Sequence, residues 1–249
     1  MKVSTPHDSC ILRNSGRQLI QRYKASSREV INIQADEVSV AVTEDLDKST
    51  VQDQNENGLF MIVDIQGRGK GLVAIKKISA QTQVLAEKPL LKLDDEIDDD
   101  AEIALVTKAF RKLSARNQEA YLSLSGFASD IYQSQSAWRT MSDEHKKVIA
   151  VWGSNNWNDM VFKMGCRINH ACAPNLETSW NERSGKQVWV AMRDIEEGEE
   201  LTGTYVYDIE RHGTAYRRDE LKRYWGFECS CEACEGNQDV LEGKIEKRK

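Results

Sequence analysis

The chain has 249 residues, 30% of them charged and 40% hydrophobic, with a formal net charge of -6. It is long enough to bury a substantial core, as one large domain with an insert or as two modest ones. The acidic balance argues against a nucleic-acid binder that works through overall charge, no apolar run approaches the roughly 18 to 20 residues of a membrane span, and six cysteines are too few for a disulfide scaffold.

Residues 1 to 28 hold six basic residues (Lys2, Arg13, Arg17, Arg22, Lys24 and Arg28) against Asp8 alone. Amid serines this resembles an organellar presequence, but Ile11, Leu12, Leu19 and Ile20 form only a weak amphipathic face, so a basic unstructured tail is the reading adopted. No apolar secretory core is seen there, and a reducing compartment is expected: nucleus or cytoplasm, with a mitochondrial presequence as the lesser alternative. Between Glu29 and Glu56 the balance reverses, with eight acidic residues against Lys48, and "VINIQ" and "VSVAV" read as marginal strands or a flexible leader.

Order improves at Gly58. "GLFMIVDI" reads as a strand, "GRGKG" as a tight glycine turn and "LVAIKKI" as a second strand, while "TQVLAEKPLLKL" supplies a third in which Pro89 marks a bulge or an edge. These three are expected to form one antiparallel meander. The run "DDEIDDDAE" (94 to 102) is read as a solvated face and helix N-terminal charge. Behind it Val106, Phe110 and Leu113, then Tyr121 and Leu124, recur at helical spacing with Ser114 as the cap of the second of two helices. A third helix is predicted from Ser142, carrying Val148, Ile149 and Trp152. Strands return at "LETSW", "KQVWVAMRDI" and "ELTGTYVY", and "RDELKRYWG" is helical.

Three constellations carry chemistry. Cys229, Cys231 and Cys234 are spaced so that thiolates on one tight turn converge on a metal, but a structural zinc takes four ligands. Cys172, held in a Pro-Asn turn, is the first candidate for the fourth and Cys166 the second. Cys10 is assigned nothing. "GRGKG" is neither a phosphate loop nor a dinucleotide fingerprint, and offers only exposed backbone groups that a ligand can approach. In "GEELTGTYVY", Tyr205 and Tyr207 occupy alternate positions of an expected strand and so face one side of it, a pattern read by default as core packing with a polar tip.

The order "GRGKGLVA", helical insert, "RINHACAPN", "GEELTGTY", "YWGFECSCEAC" resembles the SET-domain protein methyltransferases, and is similar to fungal SET proteins and the SET and MYND group, without a MYND finger. The resemblance implies a mixed β fold with a helical insert: small antiparallel sheets around a threaded pseudoknot and a zinc-stapled post-SET C-terminus. The expected layout is a variable leader (1-57), N-terminal SET strands (58-93), helical insert (94-163), C-terminal SET core (164-208), post-SET zinc region (209-235) and polar tail (236-249).

By the same resemblance, Arg68, Gly69, Lys70, Asn169 and His170 would contact S-adenosylmethionine, with Trp225 and Phe227 stacking on its adenine. Cys172, Cys229, Cys231 and Cys234 would bind one zinc ion. Tyr205 would be the catalytic tyrosine, also touching the cofactor, and Trp157, Gly203 and Tyr207 would line the substrate channel. The implied activity is methyl transfer to a lysine amine of a protein, histone or other, with no direct nucleic-acid binding and no membrane. A catalytically silent SET module acting as a zinc-stabilised scaffold is the alternative. Two departures stand out: Ala171 replaces the serine of the usual "NHSC", and Gly203 stands where many relatives place Phe or Tyr, which should leave room. His7, His145 and His212 are expected at the surface.

Overall fold

A computed structural model describes residues 58–93 and 102–236. The readings of the leader, of Cys10 and His7, of the acidic run through Ala101 and of the last residues lie outside them.

Strands β1 (Phe60–Ile65) and β2 (Gly69–Ala74) form the expected antiparallel hairpin, with Phe60 opposite Ala74 and Ile65 opposite Gly69. The Arg68 amide donates to the Ile65 carbonyl at 3.0 Å. Gly67 and Gly69 sit at φ 73° and 71°, left-handed positions that glycine adopts without a Cβ penalty, which is why "GRGKG" turns so tightly.

β3 (Gln83–Glu87) does not continue a meander. It pairs with β8 (Lys186–Ala191), which pairs with β7 (Leu176–Asn181) in a separate three-stranded sheet of order β3-β8-β7. The neighbour of β2 is β9 (Glu200–Gly203), and β9 takes β6 (Asn169–His170) along its other edge, giving the order β1-β2-β9-β6. The β6–β9 pair is parallel, so the sheets are not purely antiparallel. Pro89, which has no N–H to donate, ends β3; the chain resumes as β4 (Leu91–Lys92), paired with β5 (Met160–Val161) in a third sheet.

The expected strand "ELTGTYVY" stops at Gly203, so Tyr205 and Tyr207 are not alternate residues of a strand. Past Gly203 the backbone turns to a side chain for its bonding: the Tyr205 amide donates to His170 Nδ1 at 3.0 Å.

Helices α1 (Glu102–Arg111), α2 (Ala115–Leu122) and α5 (Asp143–Asn155) fall where the periodicity places them, except that Leu113 and Leu124 lie just past the ends of α1 and α2. Ser114 and Ser142 cap α2 and α5, each accepting from a first-turn amide, Asn117 and His145. Two short helices, α3 (Asp130–Gln133) and α4 (Ser136–Thr140), connect them and are too brief to show a period. α6 (Thr214–Trp225) ends at Gly226, which closes it in the left-handed conformation.

Burial divides among three cores. Leu72, Leu85, Phe162, Trp189, Ile195 and Leu201 fill the space between the sheets. Val106, Phe110, Tyr121, Val148, Ile149 and Trp152 join the insert helices, and Cys166 packs against both groups. The third core gathers Val206, Ile209 and Leu221 with the cysteines 172, 229 and 234. Glu87 is 2% exposed, yet its carboxylate accepts from the amides of Lys163 (2.8 Å), Met164 (3.0 Å) and Gly165 (2.9 Å). It thereby fixes the segment that leads into "RINH". Burial raises its pKa against the opposing pull of those amides. Replacing Glu87 with Ala strands three amide donors, two of them buried, and is expected to remove about 3 kcal/mol of stability, read as a lower urea midpoint; Glu87→Gln, which keeps one carbonyl oxygen, should lose less.

Candidate functional site

The site forms where β6 lies against β9. Asn169 pairs with Thr202 and His170 with Gly203, and the Ala171 amide extends the ladder to the Gly203 carbonyl at 2.9 Å. Asn175 closes the "NHACAPN" loop. Only 1% exposed, its Oδ1 accepts from the Thr202 amide at 2.8 Å and its Nδ2 donates to the Glu200 carbonyl at 2.8 Å, so a side chain continues the sheet.

The β1–β2 turn is locked onto this strand pair from the other side. Arg68 Nη1 reaches Glu200 Oε2 at 2.7 Å while its Nη2 donates to the His170 carbonyl. The second Glu200 oxygen accepts from Asn169 Nδ2 at 2.8 Å. Gly71 permits this closeness, since a Cβ there would lie 2.8 Å from Asn169 Nδ2 and 3.0 Å from Glu200 Oε1. Lys70 instead pairs with Asp64 along the exposed hairpin at 3.1 Å. Glu200, the hub of this network, escaped the sequence reading, because the β2–β9 pairing that brings it to Arg68 leaves no local signal.

His170 is buried, and burial lowers its pKa to about 3, so it is neutral. Because Nδ1 accepts from the Tyr205 amide, the ring proton belongs on Nε2, which points at Cys172 Sγ 3.4 Å away. Around this ring stand half-buried aromatics: Tyr205 at 5.3 Å and Phe227 at 6.2 Å between centroids. Tyr205 also meets Trp225 at 5.4 Å and Trp157 edge-on at 6.3 Å. Trp225 is anchored by its Nε1–H on the Ser154 carbonyl at 3.0 Å, tying α6 to the end of α5. The Tyr205 hydroxyl donates to the Ile168 carbonyl at 2.8 Å, and burial raises its pKa, so it stays a neutral phenol with lone pairs left to accept.

Gly203 is buried beside this group: a Cβ there would meet Ile168 Cγ2 at 3.5 Å and Trp157 at 3.9 Å, ordinary van der Waals contacts. Asn156, beside Trp157, has its side-chain oxygen buried without a partner, an acceptor that a ligand donor would satisfy. Tyr207 is half-buried in the turn beyond Val206. Away from this group, a hollow of about 500 Å³ lies between α1 and the start of α5, lined in part by Lys108, Arg111, Met141 and His145.

Cys172, Cys229, Cys231 and Cys234 converge so that their sulfurs all lie within 4.8 Å of one another, an arrangement that could hold a metal ion. Cys172 Sγ is 3.4 Å from Cys234 Sγ and 4.0 Å from Cys229 Sγ, and the Cys172 amide donates to Cys231 Sγ at 3.4 Å. Hydrogen bonding with Cys172 and Cys229 lowers the Cys231 pKa, and hydrogen bonding with Cys229 and Cys231, with burial, raises that of Cys172. Cys166 is elsewhere: its sulfur accepts from the Phe162 amide at 3.2 Å and donates to the Asn155 carbonyl at 3.3 Å. His145 is half-buried against Arg111, and His212 stacks on Tyr216 at 4.2 Å, so neither is a bare surface residue.

A SET-domain profile matches residues 69–206, more than half of the chain. The chain belongs to the SET-domain family. It is 30% identical over 192 residues to the histone-lysine N-methyltransferase set5 of Schizosaccharomyces pombe, covering 77% of this chain and 54% of that protein. To the histone-lysine N-methyltransferase SET5 of Candida albicans it is 40% identical over 96 residues, 36% of this chain and 20% of that protein. The chain therefore spans about half the length of the first relative and a fifth of the second. A crystal structure of the SET domain of LSMT bound to lysine and AdoHcy aligns with TM-score 0.48 at 14% identity, over 70% of this chain and 54% of that one. Among the described residues no helix is long and apolar enough to cross a membrane.

Asn175 tests whether the loop clasp is as described. Asn175→Ala leaves the buried Thr202 amide and Glu200 carbonyl without partners, and should lower stability by roughly 2 to 4 kcal/mol, read by thermal or denaturant unfolding.

Proposed function

We propose that this chain is a protein-lysine methyltransferase that uses S-adenosylmethionine. The reading rests on Tyr205: a neutral hydroxyl, aimed by the Ile168 carbonyl, inside a wall of Trp157, Trp225, Phe227 and His170 and near Gly203, which has no side chain. The half-buried aromatic faces, the backbone of the Arg68 turn and the unpartnered Asn156 oxygen fit a flat, polar, adenine-bearing ligand. Arg68, Gly69, Lys70, Asn169 and His170 would hold the cofactor, with Trp225 and Phe227 against its adenine. When bound, it supplies an electrophilic methyl that moves from sulfonium sulfur to amine nitrogen as the C–S bond breaks and the C–N bond forms.

The residues of the chain do the rest by placement. An unperturbed lysine has a pKa of about 10.4, and an apolar passage lined by Trp157, Ile168 and Tyr205 would disfavour its ammonium form. The amine that emerges neutral donates to the Tyr205 oxygen, which aligns its lone pair; the phenol need not ionise, in keeping with its raised pKa. Tyr207 is proposed for the outer channel wall. Charge favours a basic protein segment as substrate, since this chain carries net charge -6. The histone-lysine methyltransferases it resembles make histones the first class to test, and the nucleus the first place.

The four cysteines would hold one structural zinc ion. Tetrahedral zinc with Zn–S bonds of about 2.3 Å sets sulfurs about 3.8 Å apart, close to the separations of 3.4 and 4.0 Å measured here.

Incubation of the purified zinc-loaded chain with labelled S-adenosylmethionine and an extract of its own cells should label one or a few protein bands. Tyr205→Phe should reduce that label by about 10² or more by loss of alignment. Cofactor binding without label above the mutant would make the silent-scaffold alternative the better account. The lack of a side chain at Gly203 predicts products beyond monomethyl-lysine, and Gly203→Phe should shift them towards monomethyl by mass spectrometry; a strictly monomethylated product unaffected by that substitution rejects the permissive channel.

A further inference from the structure

We propose that Arg217 is the counter-charge of the four-cysteine metal site, a positioning residue whose guanidinium sets how tightly the ion is held. The inference rests on the zinc reading above. Four thiolates around a divalent cation carry a net charge of -2. Three of these cysteines are buried, in a shell that includes Val206, Ile209 and Leu221, where uncompensated charge is costly.

Arg217 answers that charge. It is 3% exposed on α6, and its Nη2 lies 3.7 Å from Cys234 Sγ. The same nitrogen donates to the Ala233 carbonyl at 3.0 Å and to Thr214 Oγ1 at 3.1 Å, while Nη1 donates to the His212 carbonyl, so the group is held in one orientation. Its Nε–H has no partner. Among the described residues no carboxylate pairs with it, although buried arginines are almost always paired. A buried cation without a carboxylate and a knot of four sulfurs complete each other only if the sulfurs are anionic, which is the state a bound metal enforces.

The next residue provides an internal comparison. Arg218 donates from Nε to the Cys229 carbonyl at 2.9 Å and from Nη2 to the Cys234 carbonyl at 3.4 Å, so it clips the same loop through its backbone. Arg217 is the one of the pair that reaches a sulfur. A general loosening of the loop would follow from either substitution, whereas loss of counter-charge follows from one.

The experiment measures zinc affinity of the full chain by competition with a chromogenic chelator, beside the absorption spectrum of the cobalt-substituted protein. Arg217→Met should weaken zinc by about 10- to 100-fold and move the sulfur-to-cobalt charge-transfer band to longer wavelength, because the thiolate loses its donor. Arg217→Lys should restore part of the affinity, and Arg218→Met should leave the band where it is. Arg217→Gln, which keeps a donor and drops the charge, should weaken zinc as the Met variant does and stands in for it on affinity alone if that one fails to fold. Unchanged affinity and spectrum in Arg217→Met, unchanged affinity in Arg217→Gln, or an equal band shift in Arg218→Met overturns the proposal. A wild-type chain that binds no zinc rejects the zinc reading itself, and with it this inference.

Discussion

The parallel pairing of β6 with β9 is the contact on which the rest of the site depends. Each strand contributes two paired residues, Asn169 and His170 against Thr202 and Gly203, far too few to hold by ladder bonds alone. Side chains complete it. Asn175 supplies an amide that stands in for a further strand residue, and Arg68 crosses from the hairpin to the His170 carbonyl and to Glu200. With this junction formed, His170, Tyr205 and Gly203 occupy one place; without it they are three unrelated positions in a loop and a strand end.

A second layer hangs on that junction. Cys172 leaves the same loop to meet the three C-terminal cysteines, and α6 carries Trp225 back to Tyr205 while its indole N–H reaches Ser154 of α5. The third core is consequently made of sulfur and aromatic rings more than of aliphatic side chains. Buried polar groups recur at each joint, Glu87 on three amides, His170 between an amide and a sulfur, Arg217 between carbonyls and a sulfur. Such groups add less net stability than apolar packing of the same volume, but each accepts one geometry only, which suits a site whose atoms must be held in place.

Much of the local structure was legible because its causes are local. Ser114 and Ser142 cap their helices through neighbouring amides, Gly67 and Gly69 make the turn, and Val148, Ile149 and Trp152 share the buried side of α5. The meander through β3 was misread because alternation tells which residues face inward and is silent on which strand lies alongside; β3 found β8, a hundred residues later. The strand through Tyr205 was misread because the Tyr205 amide bonds to a histidine ring from a distant loop, and no period in "ELTGTYVY" records that.

By itself the sequence determined the family, through the order of "GRGKG", "RINHACAPN", "GEELTGTY" and the closing cysteines, and it named the four sulfurs and the tyrosine, because chemically distinctive residues at short spacings survive without knowledge of the fold. Only the tertiary structure decided that Glu200 joins Arg68 to Asn169, that Glu87 holds the approach to "RINH", and that Arg217 faces a sulfur. Those are contacts made by common charged residues with partners 17 to 132 positions away, and a Glu or an Arg in a chain that is 30% charged carries no mark of which one will be buried until packing removes the water around it.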